Sequence, residues 1–392
     1  MDSECVSPPR EGVPISRRDG ADPSPGPRAG TAPAAAREVA AFVAATVRPD
    51  VRALSAYAVA KAEGMVKLDA MENPWPLPPA ARARVAAAAA DVPLNRYPDS
   101  GGTAVKAALA EAMGLPAGAA LILGNGSDEL IQIITCALAC PGAVMLAPEP
   151  SFIMYRMNAL YARMRYVGVP LADDFSLDVD AMLKAIERER PALVFLAYPN
   201  NPTGNLFAAD DVERVVRAVP GLVVVDEAYH AFANASFLPR IRDLPNLLVL
   251  RTLSKIGMAG LRLGYAAAAP EWIAELDKVR PPYNLNALTQ AVVPLLVRDP
   301  ALAAQAQQIL GERARLAQRL GALAGVRVYP TQANFVLARV PDAPRWFDAL
   351  RAAGILVKNL HGGHPLLEHC LRITVGTPQE NDALLAVLEG QR

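Results

Sequence analysis

The feature that most constrains the fold of this chain is an alternation of short apolar runs and longer helical patterns, which begins at about Leu54. The apolar runs have the length of buried strands and occupy residues 120–123, 143–146, 192–197, 222–225 and 247–250. Helical patterns at residues 128–139, 178–188 and 208–218 separate most of them. This order is typical of an α/β layer in which helices cover a largely parallel sheet.

The character of the sequence changes at about Pro282. Long helices rich in Ala, Leu and Arg are predicted at residues 285–297 and 301–324. Short strands are predicted around residues 326–328, 334–338, 355–357 and 371–375. This pattern predicts a second, smaller α+β domain after the large one.

The N-terminal segment differs from both domains in composition. It contains seven prolines before Ala34 and no aromatic residue before Phe42, so it cannot bury enough apolar surface to offset its ordering entropy. We therefore predict a disordered tail at residues 1–45. The rest is predicted to divide into an N-terminal arm with part of the small domain (46–90), a large domain (91–285) and a small C-terminal domain (286–392).

Charge and cysteine content exclude several classes of protein. Lys+Arg and Asp+Glu both number 39, so no global basic field exists to bind nucleic acid or an anionic membrane. No run approaches the roughly 20 continuous apolar residues of a membrane-spanning helix. The four cysteines have no disulfide-like spacing, which favours a cytoplasmic protein.

A lysine stands directly after the last of the five predicted strands. Lys255 lies among small and apolar residues, where a lysine is rarely buried without a role, and burial would free its amine to condense with an aldehyde. The hydroxyls of Thr252 and Ser254 and the guanidinium of Arg262 suit a phosphate group beside that aldehyde. This motif alone leaves open an ordinary strand-end lysine in a loop.

An acidic residue ends the preceding predicted strand. Residues 223–229 read Val-Val-Val-Asp-Glu-Ala-Tyr, and they carry Asp226 to the carboxyl end of a buried strand, where ligands bind in open α/β sheets. Such a carboxylate can pair with a protonated ring nitrogen, and Tyr229 can hydrogen-bond a ring oxygen. The alternative is an acid that caps a turn.

Two further strand-end loops offer an amide and an anion site. Asn201 stands in a proline-flanked turn at residues 198–204, which fixes its side chain. The glycines of residues 124–129 let the backbone approach a ligand, and a helix that begins near Ser127 and Asp128 favours an anion at its N-terminus. A plain turn and a plain helix start are the alternatives.

With these four loops in this order, the chain resembles the fold-type I aminotransferases of the aspartate aminotransferase superfamily, from about Leu54 to the C-terminus. It is most similar to the histidinol-phosphate aminotransferase family. The motifs that carry this similarity are Glu72-Asn73-Pro74, Asn95-Arg96-Tyr97-Pro98-Asp99, Gly126-Ser127-Asp128-Glu129, Asp226-Glu227-Ala228-Tyr229, Arg251-Thr252-Leu253-Ser254-Lys255 and Leu371-Arg372-Ile373-Thr374-Val375-Gly376-Thr377. The resemblance implies a mostly parallel seven-stranded sheet between helices in the large domain.

The resemblance also implies a role for each matching residue. Lys255 carries pyridoxal 5'-phosphate as a Schiff base and shuttles the proton, and Asp226 pairs with the pyridine nitrogen. The other implied cofactor contacts are Tyr229 and Asn201 with the ring hydroxyl, Phe152 with the ring face, and Ser127, Asp128, Thr252, Ser254 and Arg262 with the phosphate. Tyr97 matches a tyrosine that reaches this phosphate from the neighbouring subunit, which implies a homodimer. The implied substrate-binding residues are Tyr57, Asn73, Lys358 and Arg372.

The implied reaction is a transamination between histidinol phosphate, a phosphorylated imidazole amino alcohol, and 2-oxoglutarate, which yields glutamate. An aromatic or broad-range aminotransferase and a threonine-phosphate decarboxylase on the same scaffold are the alternatives. A regulator that kept the fold without turnover would carry a DNA-binding module, and no helix-turn-helix pattern precedes residue 45. No metal site is expected, because His361, His364 and His369 fit a solvated loop without a closed ligand set.

Overall fold

The computed structural model describes residues 34–56 and 60–391. Residues 34–46 form a helix, so the predicted disorder is wrong for the last part of the tail. This stretch follows Pro33 and is rich in alanine, the strongest helix former, which explains the difference. Tyr57 and most of the predicted tail lie outside the described residues.

The helices are α1 (Ala34–Thr46), α2 (Pro49–Arg52), α3 (Pro79–Ala90), α4 (Thr103–Met113), α5 (Ser127–Leu138), α6 (Met154–Tyr161), α7 (Val179–Glu189), α8 (Ala209–Ala218), α9 (Pro270–Asp277), α10 (Ala287–Leu296), α11 (Pro300–Gly321), α12 (Ala343–Ala352) and α13 (Pro378–Glu389). The strands are β1 (Val66–Lys67), β2 (Ala120–Asn125), β3 (Val144–Glu149), β4 (Arg165–Pro170), β5 (Leu193–Ala197), β6 (Leu222–Asp226), β7 (Leu247–Thr252), β8 (Leu263–Ala268), β9 (Arg327–Val328), β10 (Phe335–Arg339), β11 (Ile355–Leu356), β12 (Lys358–Asn359) and β13 (Cys370–Thr374).

Seven strands form the large sheet in the order β2-β8-β7-β6-β5-β3-β4. Strand β8 pairs antiparallel with both β2 and β7, and the other pairs are parallel. The prediction of a mostly parallel seven-stranded sheet is therefore confirmed. Because β2, β3, β5, β6 and β7 run in the same direction, the loops that follow them lie at one edge of the sheet.

The apolar runs of the strands are continuous because the sheet is covered on both faces. In β6, Val223 and Val225 belong to one buried cluster, whereas Leu222 and Val224 belong to another on the opposite face. All four side chains are fully buried. Alternate residues of a strand point to opposite faces, so an apolar residue is needed at every position.

A smaller unit is built from the C-terminal part of the chain and a short N-terminal piece. Strands β12, β13, β10 and β9 form an antiparallel sheet, and β1 pairs parallel with β11. The buried side chains Val292, Val293 and Leu296 of α10, however, pack in a core cluster of the large sheet. The division at residues 285 and 286 stays a prediction, and this packing favours a boundary closer to α11.

Candidate active site

The loops at the carboxyl edge of the large sheet enclose a cavity of about 180 Å³. Almost every residue that the sequence predicts to contact the cofactor contributes to the walls of this cavity. These residues are Ser127, Asp128, Phe152, Asn201, Asp226, Tyr229, Thr252, Ser254, Lys255 and Arg262. The four separate strand-end motifs thus form a single site.

Lys255 lies in a short 3₁₀ turn, Ser254–Ile256, directly after β7. Its Nζ atom donates a 3.2 Å hydrogen bond to the carbonyl oxygen of Ala70 and lies 5.9 Å from the centre of the Tyr229 ring. Burial lowers the pKa of this amine to about 8, and the positive charge of Arg372 acts in the same direction. A useful fraction of the amine is therefore unprotonated near neutral pH, as a nucleophile requires.

Asp226 ends β6 and is only 5% exposed. Its Oδ2 atom accepts a 2.7 Å hydrogen bond from the hydroxyl of Tyr155, and its Oδ1 atom accepts one of 3.0 Å from the backbone N–H of Ala228. Burial raises the pKa of Asp226 to about 6, and these two hydrogen bonds oppose that rise. The carboxylate is thus ionised at neutral pH in a buried position, where it suits a cationic partner.

Three polar side chains form a chain along one wall. The Nη1 atom of Arg372 donates a 2.5 Å hydrogen bond to the Oδ1 atom of Asn201, and Nδ2 of Asn201 donates one of 3.2 Å to the hydroxyl of Tyr229. Burial raises the pKa of the Tyr229 hydroxyl, which therefore keeps its proton. That hydroxyl and the Asn201 amide are placed to donate hydrogen bonds to an oxygen in the cavity.

The opposite end of the cavity has the character of an anion site. Helix α5 begins at Ser127 without a side-chain cap on its first N–H groups. A Cβ atom built on Gly126 would lie 2.5 Å from Nη2 of Arg262, and one built on Gly264 would lie 2.4 Å from the backbone nitrogen of Ser127. The two glycines therefore allow a guanidinium and a helix N-terminus to approach closely, which is the arrangement that binds phosphate.

Several predicted site residues do not line this cavity. Tyr97 is 81% exposed and stacks on Tyr283 at 4.5 Å, on another surface of the chain. The amide of Asn73 is engaged with Gln305 and with the backbone of Trp75, so it supports the segment beside the lysine turn instead of facing the cavity.

Lys358 and Arg372 are directly opposite each other in the β12–β13 pair. Side chains of such a pair lie on the same face of a sheet. Arg372 reaches the edge of the cavity through its contact with Asn201. Lys358 is therefore a neighbour of Arg372 and does not line the cavity itself.

The cavity is also lined by Ala70, Glu72 and Tyr155, none of which the sequence identified individually as a site residue. Tyr155 is fully buried between the ring of Phe195, stacked at 4.4 Å, and the edge of Phe152 at 5.6 Å. Phe152 lies before the start of α6, so the two aromatic residues are not a helical pair three positions apart, and no local pattern indicated the role of Tyr155.

Arg251 and Glu227, which flank the motif residues, have a structural role. They form a buried ion pair of 2.8 Å, and Glu227 also accepts hydrogen bonds from Ser236 and from the backbone N–H of Phe237. This network ties the loop after β6 to β7. It therefore fixes the strand ends that carry Asp226 and Lys255.

Comparisons with known proteins identify the family of this chain. The family model described as aminotransferase class I and II matches residues 63–388. A histidinol-phosphate aminotransferase of Chromobacterium violaceum is 57% identical over 88% of this chain and 97% of its own length. Histidinol-phosphate aminotransferase 2 of Cupriavidus pinatubonensis is 54% identical over 86% of this chain and 94% of its own length.

A solved structure has the same fold. The histidinol-phosphate aminotransferase of Sinorhizobium meliloti, in complex with pyridoxal-5'-phosphate, superposes with a TM-score of 0.78. It is 28% identical and covers 88% of this chain and 97% of its own. The predicted fold class is thereby confirmed.

Proposed function

The chain belongs to the class I and II aminotransferases, and within them to the histidinol-phosphate aminotransferases, and we propose that it transfers the amino group of histidinol phosphate to 2-oxoglutarate. The products are imidazole acetol phosphate and L-glutamate, a step of histidine biosynthesis. The observation that carries this proposal is the match to a relative of that name at 57% identity over nearly its full length.

The residues of the cavity fit pyridoxal phosphate, the cofactor of this family. An amine with a pKa of about 8 is available for the aldehyde, and a buried carboxylate is available for the ring nitrogen. The uncapped start of α5 and the guanidinium of Arg262 offer a site for the phosphate. When bound, the cofactor supplies an aldehyde that condenses with amines and a ring that withdraws electrons from the neighbouring carbon.

Lys255 is the residue of this chain that moves the proton. Its amine lies beside the Ala70 carbonyl and the Tyr229 ring, so its position is fixed while its protonation state is free to change. Because burial lowers its pKa to about 8, the same nitrogen accepts and releases a proton near neutral pH. We assign it as the base that takes the proton from the substrate α-carbon.

Asp226 and Tyr155 act as a pair. The carboxylate offers its negative charge to a protonated ring nitrogen, and the Tyr155 hydroxyl holds one of its oxygens at 2.7 Å. This hydrogen bond also lowers the pKa of Asp226, so the carboxylate stays charged despite its burial. Tyr155 is therefore proposed as a positioning residue.

Arg372 and Lys358 supply positive charge for the substrate. They are cross-strand neighbours in the small sheet, and the guanidinium of Arg372 is held by Asn201 and by the carbonyl oxygen of Asp69. A guanidinium fixed in this way suits a carboxylate or a phosphate. The roles predicted for these two residues, for Asn73 and for Tyr57 remain proposals.

A homodimer is proposed as the working form. The supporting observation is the exposed Tyr97–Tyr283 stack, together with further exposed large apolar side chains in the same two stretches of the chain, residues 94–97 and 279–295. These side chains are Leu94, Tyr97, Val279, Tyr283, Leu288 and Leu295. Apolar surface of this kind marks protein interfaces, and Tyr97 would reach the cavity of the second subunit from there.

A cytoplasmic location is proposed as well. The cysteines of the described part, Cys136, Cys140 and Cys370, are all free thiols, as expected in a reducing compartment. Among the described residues, no helix is both long and apolar enough to cross a membrane.

A substrate panel on the cofactor-loaded enzyme tests the proposed function. We expect kcat/KM for histidinol phosphate, with 2-oxoglutarate as acceptor, to exceed that for phenylalanine by at least tenfold. Threonine phosphate should release no carbon dioxide above background. A higher kcat/KM for phenylalanine, or release of carbon dioxide from threonine phosphate, would replace the proposal by one of the two alternatives.

A further inference from the structure

Two histidines face each other at the base of the loop that joins β12 to β13. The register pairs Lys358 with Arg372 and Asn359 with Leu371, and the backbone hydrogen bond from Leu360 N–H to the Cys370 carbonyl continues it. The next step pairs His361 with His369. Their rings lie 4.6 Å apart with an angle of 30° between the planes.

Glu368 adds a carboxylate to this pair. Its Oε2 atom is 2.9 Å from Nδ1 of His361, and one ligand atom from each of the three residues lies within 4.8 Å of the others. The backbone N–H of His369 also donates to the same Nδ1 atom at 3.1 Å. One ring nitrogen cannot accept from an N–H and donate to a carboxylate at the same time. Either the backbone N–H of His369 or the carboxylate of Glu368 therefore lacks a hydrogen-bond partner at this nitrogen.

A second observation points to a missing ligand. The Nδ1 atom of His369 is buried and has no hydrogen-bond partner among the residues that the structure describes. An imidazole nitrogen that loses its water without gaining a partner raises the free energy of the folded state. One ring nitrogen of His369 lies within 4.8 Å of ligand atoms of His361 and Glu368, so a cation bound among them would contact this imidazole and the carboxylate of Glu368.

We propose that His361, Glu368 and His369 form a binding site for a divalent transition metal, most favourably Zn²⁺. Two imidazoles and one carboxylate are a ligand set that zinc takes in proteins, with bonds of about 2.0–2.2 Å and a fourth position for water. Tetrahedral ligands at such distances are about 3.3 Å apart, so the side chains approach each other modestly on binding. Glu368, with a side chain 49% exposed, has room to rotate inward.

The position of the site gives it a consequence for the chain. The metal would join the end of β12 to the start of β13, and these strands carry Lys358 and Arg372. It therefore fixes the hairpin that presents both basic side chains. The sequence favoured a solvated loop for these histidines, because the cross-strand register that brings two of them together is not visible in it.

Zinc titration of the full-length, tag-free, cofactor-loaded protein tests the site. After removal of metal with a chelator, Zn²⁺ is titrated in competition with a chromophoric chelator. We expect one Zn²⁺ per chain, with affinity at least tenfold lower in His361→Ala and in His369→Ala. The matched control is His364→Ala, which removes a histidine of the same loop that lies outside the cluster and should bind zinc within twofold of the unchanged protein.

A second control addresses the exposed thiols of Cys136 and Cys140. The double variant Cys136→Ser and Cys140→Ser should retain the bound zinc. The proposal is overturned if the unchanged protein binds no zinc, if the two histidine variants bind it as well as the control, or if binding is lost with the cysteines.

Discussion

The hydroxyl of Tyr155 donates a 2.7 Å hydrogen bond to the Oδ2 atom of Asp226, and both side chains are buried. The same tyrosine ring contacts the edge of Phe152 and the face of Phe195. One side chain thus connects the carboxylate proposed for the ring nitrogen with the aromatic residue proposed for the ring face. Its contribution is open to direct measurement.

Tyr155→Phe removes this hydrogen bond and little else. Because the bond lowers the pKa of Asp226, its loss should raise that pKa above about 6. Hydrogen bonds to charged groups contribute about 1.5–3 kcal/mol, so we expect at least roughly tenfold weaker binding of pyridoxamine phosphate. The measurement is the dissociation constant as a function of pH, in which the acidic limb should move to higher pH.

Tyr161→Phe is the matched control, because Tyr161 ends the same helix with an exposed side chain. It should leave both the affinity and the acidic limb unchanged. An acidic limb at the same pH in Tyr155→Phe and in the unchanged enzyme would contradict the positioning role.

Asp226→Asn should stabilise the cofactor-free protein at neutral pH while it destroys function. Burial raises the pKa of Asp226 from 3.8 to about 6, so folding an ionised carboxylate at neutral pH is unfavourable. This linkage lowers the free energy of unfolding of the unchanged protein by at most about 3 kcal/mol at pH 7 and by roughly half of that at pH 5. It falls to a small fraction at pH 4 and to nothing below about pH 3, where the group is protonated in both states. Urea unfolding of the cofactor-free variant at these pH values checks the sign and the trend. The prediction is contradicted if the gain in free energy of unfolding, variant over unchanged protein, is smaller at pH 7 than at pH 4.

Arg372→Gln should raise the pKa of Lys255. Burial is the main cause of the low pKa of this amine and the charge of Arg372 is the next, so removal of that charge weakens the effect. Cofactor capture by the cofactor-free enzyme needs the neutral amine, so its rate should rise with pH through a midpoint of about 8, and this midpoint should move upward in the variant. Stopped-flow absorbance across the pH range gives the midpoint.

Arg372→Lys is the control for charge. It keeps the positive charge but loses the planar fork, so the midpoint should remain near that of the unchanged enzyme while KM for glutamate rises about tenfold. Equal midpoints in all three proteins would show that Arg372 does not act on Lys255.

Mixing two inactive variants tests the shared site. Lys255→Ala lacks the reactive amine, and Tyr97→Ala lacks the exposed tyrosine proposed to serve the partner. In a mixed dimer, the subunit with Lys255 receives an intact Tyr97 from the other chain, so one of its two sites is complete. We expect activity to reappear after unfolding and refolding the mixture. Activity that stays at the sum of the separate variants would place Tyr97 outside the partner's site.

The large sheet was predictable where strands are buried on both faces. All five apolar runs correspond to strands, because both faces of the sheet are covered and every strand position must then be apolar. Strand β4 was missed because it is a partly exposed edge strand that begins with Arg165. Strand β8 was missed because its alanines, at residues 266–268, lack the usual strand propensity and are held by pairing on both sides.

The site was predictable to the extent that it lies at strand ends. Asn201, Asp226 and Lys255 lie at or shortly after the ends of neighbouring parallel strands, so sheet geometry alone brings them together. Tyr155 comes from a helix, and its contact with Asp226 spans 71 residues, which no local pattern indicates. The contact between the rings of His361 and His369 depends on a strand register that the sequence does not reveal.

The proposed function depends above all on the amine of Lys255 as the group that holds the cofactor. Borohydride reduction of the cofactor-loaded enzyme, followed by peptide mapping with mass spectrometry, tests it most directly, because reduction makes the bond between amine and cofactor permanent. We expect a pyridoxyl-phosphate adduct on Lys255 and on no other lysine. An adduct on a different lysine, with Lys255 unmodified, would contradict it.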